Sequence, residues 1–224
     1  MQPNIPPKKK PPTNKEATFD STVNDIAFSV QFSLPDMKKR LQSLIDELEE
    51  EFPRSLSLTY TVAQWALRDL LKGAIVLYLL GLNGSAIVDL YAILEDNART
   101  DISIVPNFTK PQAAAVTTLA ERHTLFDFAK FYFALNVWSA EDVSFVKKLT
   151  TIRNGVAHRN PAKISRQLLG GKAIDFGEID QVLSTANLPE LIVNSITIII
   201  KSFRTFIRLT DLDTAKNMIL SGEG

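Results

Sequence analysis

Residues 139–161 read SAEDVSFVKKLTTIRNGVAHRNP and contain the best-delimited helix of the chain. Ser139 followed three residues later by Asp142 matches a capping box, in which each side chain accepts a hydrogen bond from the other residue's backbone N–H. Pro161 disfavours helix at the residue before it. These signals predict a helix over about residues 140–159. Its core face is predicted to consist of Phe145, Leu149, Ile152 and Val156.

Helical spacing of apolar residues recurs along the rest of the chain and leaves little room for strands. Further helices are predicted from a first turn that contains Pro35 to about residue 52, and over about residues 58–80, 113–135 and 189–220, with one more beginning after a break at residues 83–85. The aromatic residues of the 113–135 segment are expected in the core. The sequence therefore predicts an all-α fold, an up-and-down bundle of about five or more helices.

The composition limits the chemistry of any site. The 25 Lys and Arg residues balance 25 Asp and Glu residues, so a phosphate-binding surface would have to be local. The absence of Cys excludes disulfides, thiolate metal sites and a cysteine nucleophile. With two His, no carboxylate pair at a ligand spacing and no glycine-rich phosphate loop, neither a metal nor a cofactor is expected.

The beginning of the chain differs in composition from the remainder. Residues 1–18 are rich in Pro and Lys and contain no apolar run, so they are expected to form a disordered tail. Residues 19–224 are expected to form a single helical domain. The most apolar stretches, 73–82 and 191–203, are shorter than a membrane span and are expected to be buried core helices. We therefore expect no membrane partner, and we expect a cytoplasmic location.

One face of the helix predicted over residues 140–159 is polar. The residues opposite its core face are Lys147, Thr151, Asn154 and His158. Arg153 projects ~140° around the helix from His158, so their side chains do not converge on one regular helix. Gly155 could loosen the last turn, the long Arg153 side chain could reach around, or a second copy of the chain could bring its own polar face alongside.

These residue types suit chemistry on a phosphate group. His158 can exchange a proton near neutral pH, and the last helical turn favours a cation there. Arg153 is a forked, permanently charged donor, and Asn154 could orient the ring or donate to a phosphate oxygen. A local positive field would come from Lys147, Lys148, Arg159, Lys163 and Arg166. The same residues also suit a capped, solvated helix end, and spacing alone leaves that alternative open.

The run Arg153–His158, RNGVAH, resembles the signature of the HEPN superfamily (higher eukaryotes and prokaryotes nucleotide-binding domain). That signature is an Arg, usually a polar residue next, and a His a few residues later near the end of a long helix in an all-helical bundle. The stretch LYLLGLNGSAIVDLYAILE at residues 77–95 looks like the paired helices that precede the signature. The resemblance implies a HEPN-like helical domain over residues 19–224.

The resemblance also implies metal-independent RNA cleavage, in which a ribose 2′-hydroxyl attacks the adjacent phosphate and leaves a 2′,3′-cyclic phosphate and a 5′-hydroxyl. His158 would be the general acid or base, Arg153 would stabilise the transition state and Asn154 would position one of these groups. The RNA phosphates would be bound by Lys147, Lys148, Thr151 and Arg159. The resemblance further implies a homodimer, and a toxin–antitoxin or antiviral defence role with an antitoxin or defence-complex protein as partner.

Position 160 and two carboxylates bear on the HEPN-like interpretation. The HEPN subgroup controlled by nucleotidyltransferase antitoxins carries a Tyr two residues after the His, whereas this chain has Asn160. Asp89 and Glu95 are candidate partners of Arg153 if their helix packs against the helix predicted over residues 140–159, or they are solvated charges. The alternative function is a non-catalytic HEPN-like helical dimer that binds a nucleotide or another protein.

Overall fold

The computed structural model describes residues 18–28, 36–55, 57–103 and 123–209, so nearly all of the predicted tail lies outside the described residues. No strand occurs in these ranges, and the prediction of an all-α helical bundle is confirmed. The α-helices are α1 Phe19–Phe28, α2 Met37–Glu51, α3 Ser57–Trp65, α4 Lys72–Leu79, α5 Asn83–Ser103, α6 Leu125–Ala134, α7 Ala140–Ala157, α8 Pro161–Leu168, α9 Ile179–Ser184 and α10 Leu188–Leu209.

A single cluster of buried apolar side chains forms the core, and each of these helices contributes to it. The two most apolar stretches of the sequence contribute to it, as predicted, since Ile75 of α4 and Ile196 of α10 are fully buried. The end of the first stretch lies at the surface, where Leu82 is 50% exposed. No single helix in the described ranges is long and apolar enough to cross a membrane. The segments Phe176–Ser184 and Leu188–Phe203, which are bent by 68° at the break between them, are together long and apolar enough for a membrane span by length and composition alone.

The helix predicted over residues 58–80 is interrupted. Between α3 and α4 lies a π-helical turn, Ala66–Leu70, in which the Leu71 N–H donates to the Ala66 carbonyl, five residues back, at 2.8 Å. The wider turn keeps both Leu67 and Leu71 fully buried. This interruption could not be predicted, because no Gly or Pro lies within the turn and the apolar spacing continues through it.

The predicted break at residues 83–85 lies a few residues earlier in the structure. Gly81, with φ +79°, ends the α4 segment in a conformation that favours glycine. Asn83 is instead the first residue of α5 and is buried. Its side chain accepts from Arg40 Nη1 at 2.9 Å and donates to the Leu183 carbonyl at 3.3 Å, which ties α5 to α2 and α9.

Two other predicted helices are described only in part. In the 113–135 segment, helix α6 begins at Leu125, where Thr124 and Asp127 form a capping box. The prediction of one uninterrupted helix over this segment is therefore wrong. Residues 104–122 lie outside the described ranges. Helix α10 begins at Leu188 as predicted, and its predicted end near residue 220 also lies outside them. The short helices α8 and α9 were not predicted.

Helix α7 confirms the prediction made for residues 140–159. Ser139 and Asp142 form the capping box, and the helix ends at Ala157 with His158 as its C-cap. The core face is rotated from the predicted one, because Phe145 and Val156 are only partly buried. The residues buried on α7 are Asp142, Val146, Leu149, Ile152 and Gly155. Asp142 is tolerated there because Lys201 of α10 pairs with it at 2.6 Å.

Candidate functional site

The end of α7 packs against α5 on one side and α8 on another, and these contacts fix its polar residues. The guanidinium of Arg153 lies over the ring of Tyr91 on α5, with Cζ 4.6 Å from the ring centroid. Its Nη1 donates to the Asn154 side-chain oxygen at 2.9 Å. Its Nε is buried and has no hydrogen-bond partner among the described residues. Arg153 is therefore held by a ring and an amide.

No ion pair to Arg153 occurs in the described part of the chain. Of the two carboxylates considered as its partners, Glu95 reaches it only through Tyr91, because the Tyr91 hydroxyl donates to Glu95 Oε1 at 3.1 Å. Asp89 lies beside Gly73 of α4 instead. The positive charge of Arg153 thus stays uncompensated by a directly bonded carboxylate, which suits an arginine that meets an anion.

Tyr91 is itself fixed by a second helix. The Glu95 oxygen that accepts from its hydroxyl also accepts from the backbone N–H of Leu125, the first residue of α6, at 3.0 Å. Burial raises the pKa of the Tyr91 phenol above its ordinary value, Glu95 raises the pKa further, and Arg153 partly offsets the rise. The phenol therefore stays protonated near neutral pH and remains a donor to Glu95.

His158 lies outside this arrangement. It is exposed, and its backbone N–H donates to the Asn154 carbonyl at 3.2 Å. No hydrogen bond or ion pair joins its side chain to Arg153 within the described ranges. One copy of the chain thus brings Arg153 to Asn154 but leaves His158 apart, in agreement with the helical geometry.

The turn after His158 is a Schellman motif. Arg159 has φ +45°, its N–H donates to the Val156 carbonyl at 3.1 Å, and the Asn160 N–H donates to the Gly155 carbonyl at 2.7 Å. Asn160 then accepts a hydrogen bond from the Lys163 N–H at 3.1 Å and serves as the N-cap of α8. Asn160 therefore closes one helix and opens the next.

Gly155 has a packing role. The helix remains regular through Ala157, so the idea that Gly155 loosens the last turn is wrong. A Cβ at Gly155 would lie 2.6 Å from Ile164 Cγ1 and 3.2 Å from the Ile164 backbone nitrogen. The missing side chain lets α8 approach α7 closely, and this approach sets the position of α8 next to His158.

We expect Gly155→Ala to lower the free energy of unfolding by about 1–3 kcal/mol through overpacking, although alanine has the higher helix propensity. Chemical denaturation measures the change, with Gly177→Ala as control because open space surrounds Gly177. In an Ile164→Ala background, which removes the clashing carbon, the loss should shrink. An unchanged loss in that background would mean that the Ile164 side chain is not the obstacle.

The predicted phosphate-binding residues occupy the outer surface of α7 and the turn after it. Lys147 and Arg159 are exposed, and Lys148 is half-buried. The Thr151 hydroxyl donates to the Lys147 carbonyl at 2.8 Å, which leaves its oxygen able to accept but not to donate. On α8, Lys163 and Arg166 are also exposed. None of these cations forms an ion pair in the part of the chain that the structure describes, so their charge is free to act on an anion.

A shallow groove of about 340 Å³ runs between α4, α5 and the end of α7. Its apolar lining includes Leu77, Val88, Ala92 and Val156, and its polar lining Ser85 and Asp89. Of α7, only Val156 lines the groove, and neither Arg153 nor His158 is among its lining residues.

One feature of α6 was missed in the sequence. Phe128 and Tyr132 are buried as expected, but Phe131 and Phe133 are 46% and 49% exposed, and Leu135 at the C-cap is 55% exposed. The prediction that all aromatic residues of this segment lie in the core is wrong for those two. A run in which nearly every residue is apolar carries no helical periodicity, so its exposed face could not be identified.

No cluster of three or more potential metal ligands occurs among the described residues. Comparison with protein-family models, curated proteins and solved structures gave no match. The HEPN resemblance therefore stays a prediction, and function is inferred from the residues of the site.

Proposed function

We propose that the chain is a metal-independent endoribonuclease of the HEPN type, which cleaves RNA by attack of a ribose 2′-hydroxyl on the adjacent phosphate. The observation that carries the proposal is the state of Arg153. Its guanidinium is held by Tyr91 and Asn154, has no carboxylate partner among the described residues and has a buried Nε without a partner. An arginine fixed in this way is suited to a pentacovalent phosphate, whose negative charge grows in the transition state.

Each polar residue of the site then has a role. His158 transfers the proton, as general base to the 2′-hydroxyl or as general acid to the 5′-oxygen leaving group. Asn154 positions Arg153 through the hydrogen bond at 2.9 Å. The phosphates that flank the cleaved bond are bound by the cations on the outer surface of the site, namely Lys147, Lys148 and Arg159. Thr151 takes part only if its hydroxyl turns from the Lys147 carbonyl to donate to a phosphate oxygen.

The separation of Arg153 from His158 within one copy supports a site built from two copies. A two-fold pairing of α7 with α7 would bring Arg153 of one chain next to His158 of the other. The apolar groove beside α7, with Val88, Ala92 and Val156 in its lining, offers surface for such a contact. We assign the homodimer to a cytoplasmic toxin–antitoxin or antiviral defence system, in which an antitoxin or another defence protein controls it.

The test is cleavage of single-stranded RNA and of transfer RNA in EDTA, followed by analysis of the ends. We expect 2′,3′-cyclic phosphate and 5′-hydroxyl ends, and no cleavage where the ribose at the cut site is replaced by 2′-deoxyribose. His158→Ala purified in parallel controls for contaminating nuclease. Cleavage that EDTA abolishes, or cleavage of the deoxy-substituted strand, would contradict the proposed chemistry.

A second function is favoured by one observation. Arg153 is already engaged by Tyr91 and Asn154, and His158 is a helix C-cap, so each residue also has a structural reason to be there. On this alternative the chain is a non-catalytic HEPN-like dimer that binds a nucleotide or a protein. Nucleotide binding that persists in His158→Ala and is lost in Arg153→Ala, without any RNA cleavage, would support it.

A further inference from the structure

We propose that Tyr91 is a positioning residue for Arg153: its ring fixes the plane of the guanidinium without neutralising the charge that the phosphate meets. This inference rests on the proposed function, since it assigns how the arginine of that site is held. It starts from the ring contact at 4.6 Å between α5 and α7.

The choice of an aromatic partner has a physical reason. A carboxylate beside Arg153 would hold the guanidinium more strongly. The carboxylate would, however, occupy the N–H groups of the guanidinium and compensate the positive charge. The face of an aromatic ring attracts the cation and leaves the in-plane N–H groups available for phosphate oxygens. Among the described residues the guanidinium forms one side-chain hydrogen bond, to the neutral Asn154.

Hydrogen bonds hold the Tyr91 ring in its orientation. The Tyr91 hydroxyl donates to Glu95 Oε1 at 3.1 Å, and the same oxygen accepts from Leu125 N–H at 3.0 Å. The orientation of the ring is therefore tied to the first turn of α6. Because Nε is buried and Arg153 as a whole is only partly exposed, less water competes with the ring for the cation than at a fully exposed arginine, and this strengthens the contact.

The first experiment observes the arginine directly and does not depend on activity. In an NMR spectrum of the full chain, the Arg153 Nε–H signal is assigned by its loss in Arg153→Lys. We expect it to be shifted upfield by the ring in the wild type and in Tyr91→Phe, and to return to the usual arginine position in Tyr91→Met. A signal at the usual position in the wild type, or one unmoved by Tyr91→Met, would overturn the proposal.

The second experiment measures cleavage of RNA by the same variants. We expect Tyr91→Met to lower kcat by about 10-fold or more and to change KM by less than about 2-fold, while Tyr91→Phe keeps at least about a third of kcat. Tyr60→Leu, which alters an aromatic residue packed on Phe19 at 4.4 Å, is the control and should leave both constants unchanged. Equal kcat in Tyr91→Met and the wild type would sink the positioning role.

A series of variants that keeps an aromatic ring of nearly constant shape at position 91 tests the proposal even if Tyr91→Met does not fold. Phenylalanine at position 91 with increasing fluorination weakens the attraction for a cation, so kcat should fall stepwise along the series. A flat series would contradict the proposal. If the wild type cleaves no RNA, the proposed function fails, while the NMR experiment still decides whether Tyr91 holds Arg153.

Discussion

His158→Ala is expected to lower RNA cleavage by about 10²- to 10⁴-fold, the usual contribution of a general acid or base. The fold should be unaffected, because the side chain is exposed and the turn after it is held by backbone hydrogen bonds. Arg153→Ala is expected to lower the rate of RNA cleavage by about 10²- to 10³-fold, because transition-state stabilisation is lost. Initial rates on the same RNA measure both effects.

Mixing the two inactive chains distinguishes a shared site from a single-chain site. If Arg153 of one copy works with His158 of the other, a heterodimer of the two variants contains one intact site out of two. Since half of the dimers are mixed after random exchange, about a quarter of wild-type cleavage should return. His123→Ala, which changes the other exposed histidine, is the matched control and should keep full activity. No recovery on mixing, with both variants dimeric, would contradict the shared site.

Asp142→Ala is expected to lower the free energy of unfolding by about 2–4 kcal/mol, the largest stability effect we anticipate for a single polar side chain. Asp142 accepts from the Ser139 N–H at 2.7 Å and from Lys201 Nζ at 2.6 Å, and it is nearly fully buried. The substitution removes the N-cap partner of α7 and leaves Lys201 next to a vacated polar position. The Lys201 side chain is 36% exposed, so water can still solvate its ammonium group. The expected loss of stability is therefore smaller than the full cost of a buried, unpaired charge.

A matched control exists in α6, where Asp127 occupies the same position of a capping box but is 41% exposed and pairs with the exposed Lys130. Asp127→Ala should cost only about 0.5–1.5 kcal/mol. Chemical denaturation of both variants measures the difference. Equal losses would mean that the Asp142–Lys201 contact adds nothing to the cap.

The extent to which the sequence predicted the fold depended on how local the signals were. The start of α7 follows from Ser139 and Asp142, and its end from Pro161, because capping and the steric demands of proline act within a few residues. The π turn at Ala66–Leu70 has no local signal, since it depends on which apolar residues the surrounding helices bury. The rotated core face of α7 likewise depends on helices from elsewhere in the chain, among them α10, whose Lys201 pairs with Asp142.

The same distinction applies to the candidate site. The ~140° between Arg153 and His158 follows from helix geometry, and the structure agrees that one chain does not join them. The contact with Tyr91 could not be predicted, because Tyr91 fits the apolar face of α5 and its ring meets Arg153 only after α5 and α7 pack. Gly155 could not be assigned either, since the position of Ile164 depends on a helix, α8, that the sequence did not reveal.

The double role of Asn160 has a consequence for substitutions at this position. In the HEPN subgroup controlled by nucleotidyltransferase antitoxins, a tyrosine stands two residues after the signature His, whereas the corresponding residue of this chain, Asn160, caps α8. Exchanging Asn160 for tyrosine here would remove a cap worth about 1 kcal/mol at the start of the helix that carries Lys163 and Arg166. Substitution at position 160 therefore changes the stability of α8 as well as the surface next to His158. A loss of activity in such a variant does not by itself identify a residue of the site.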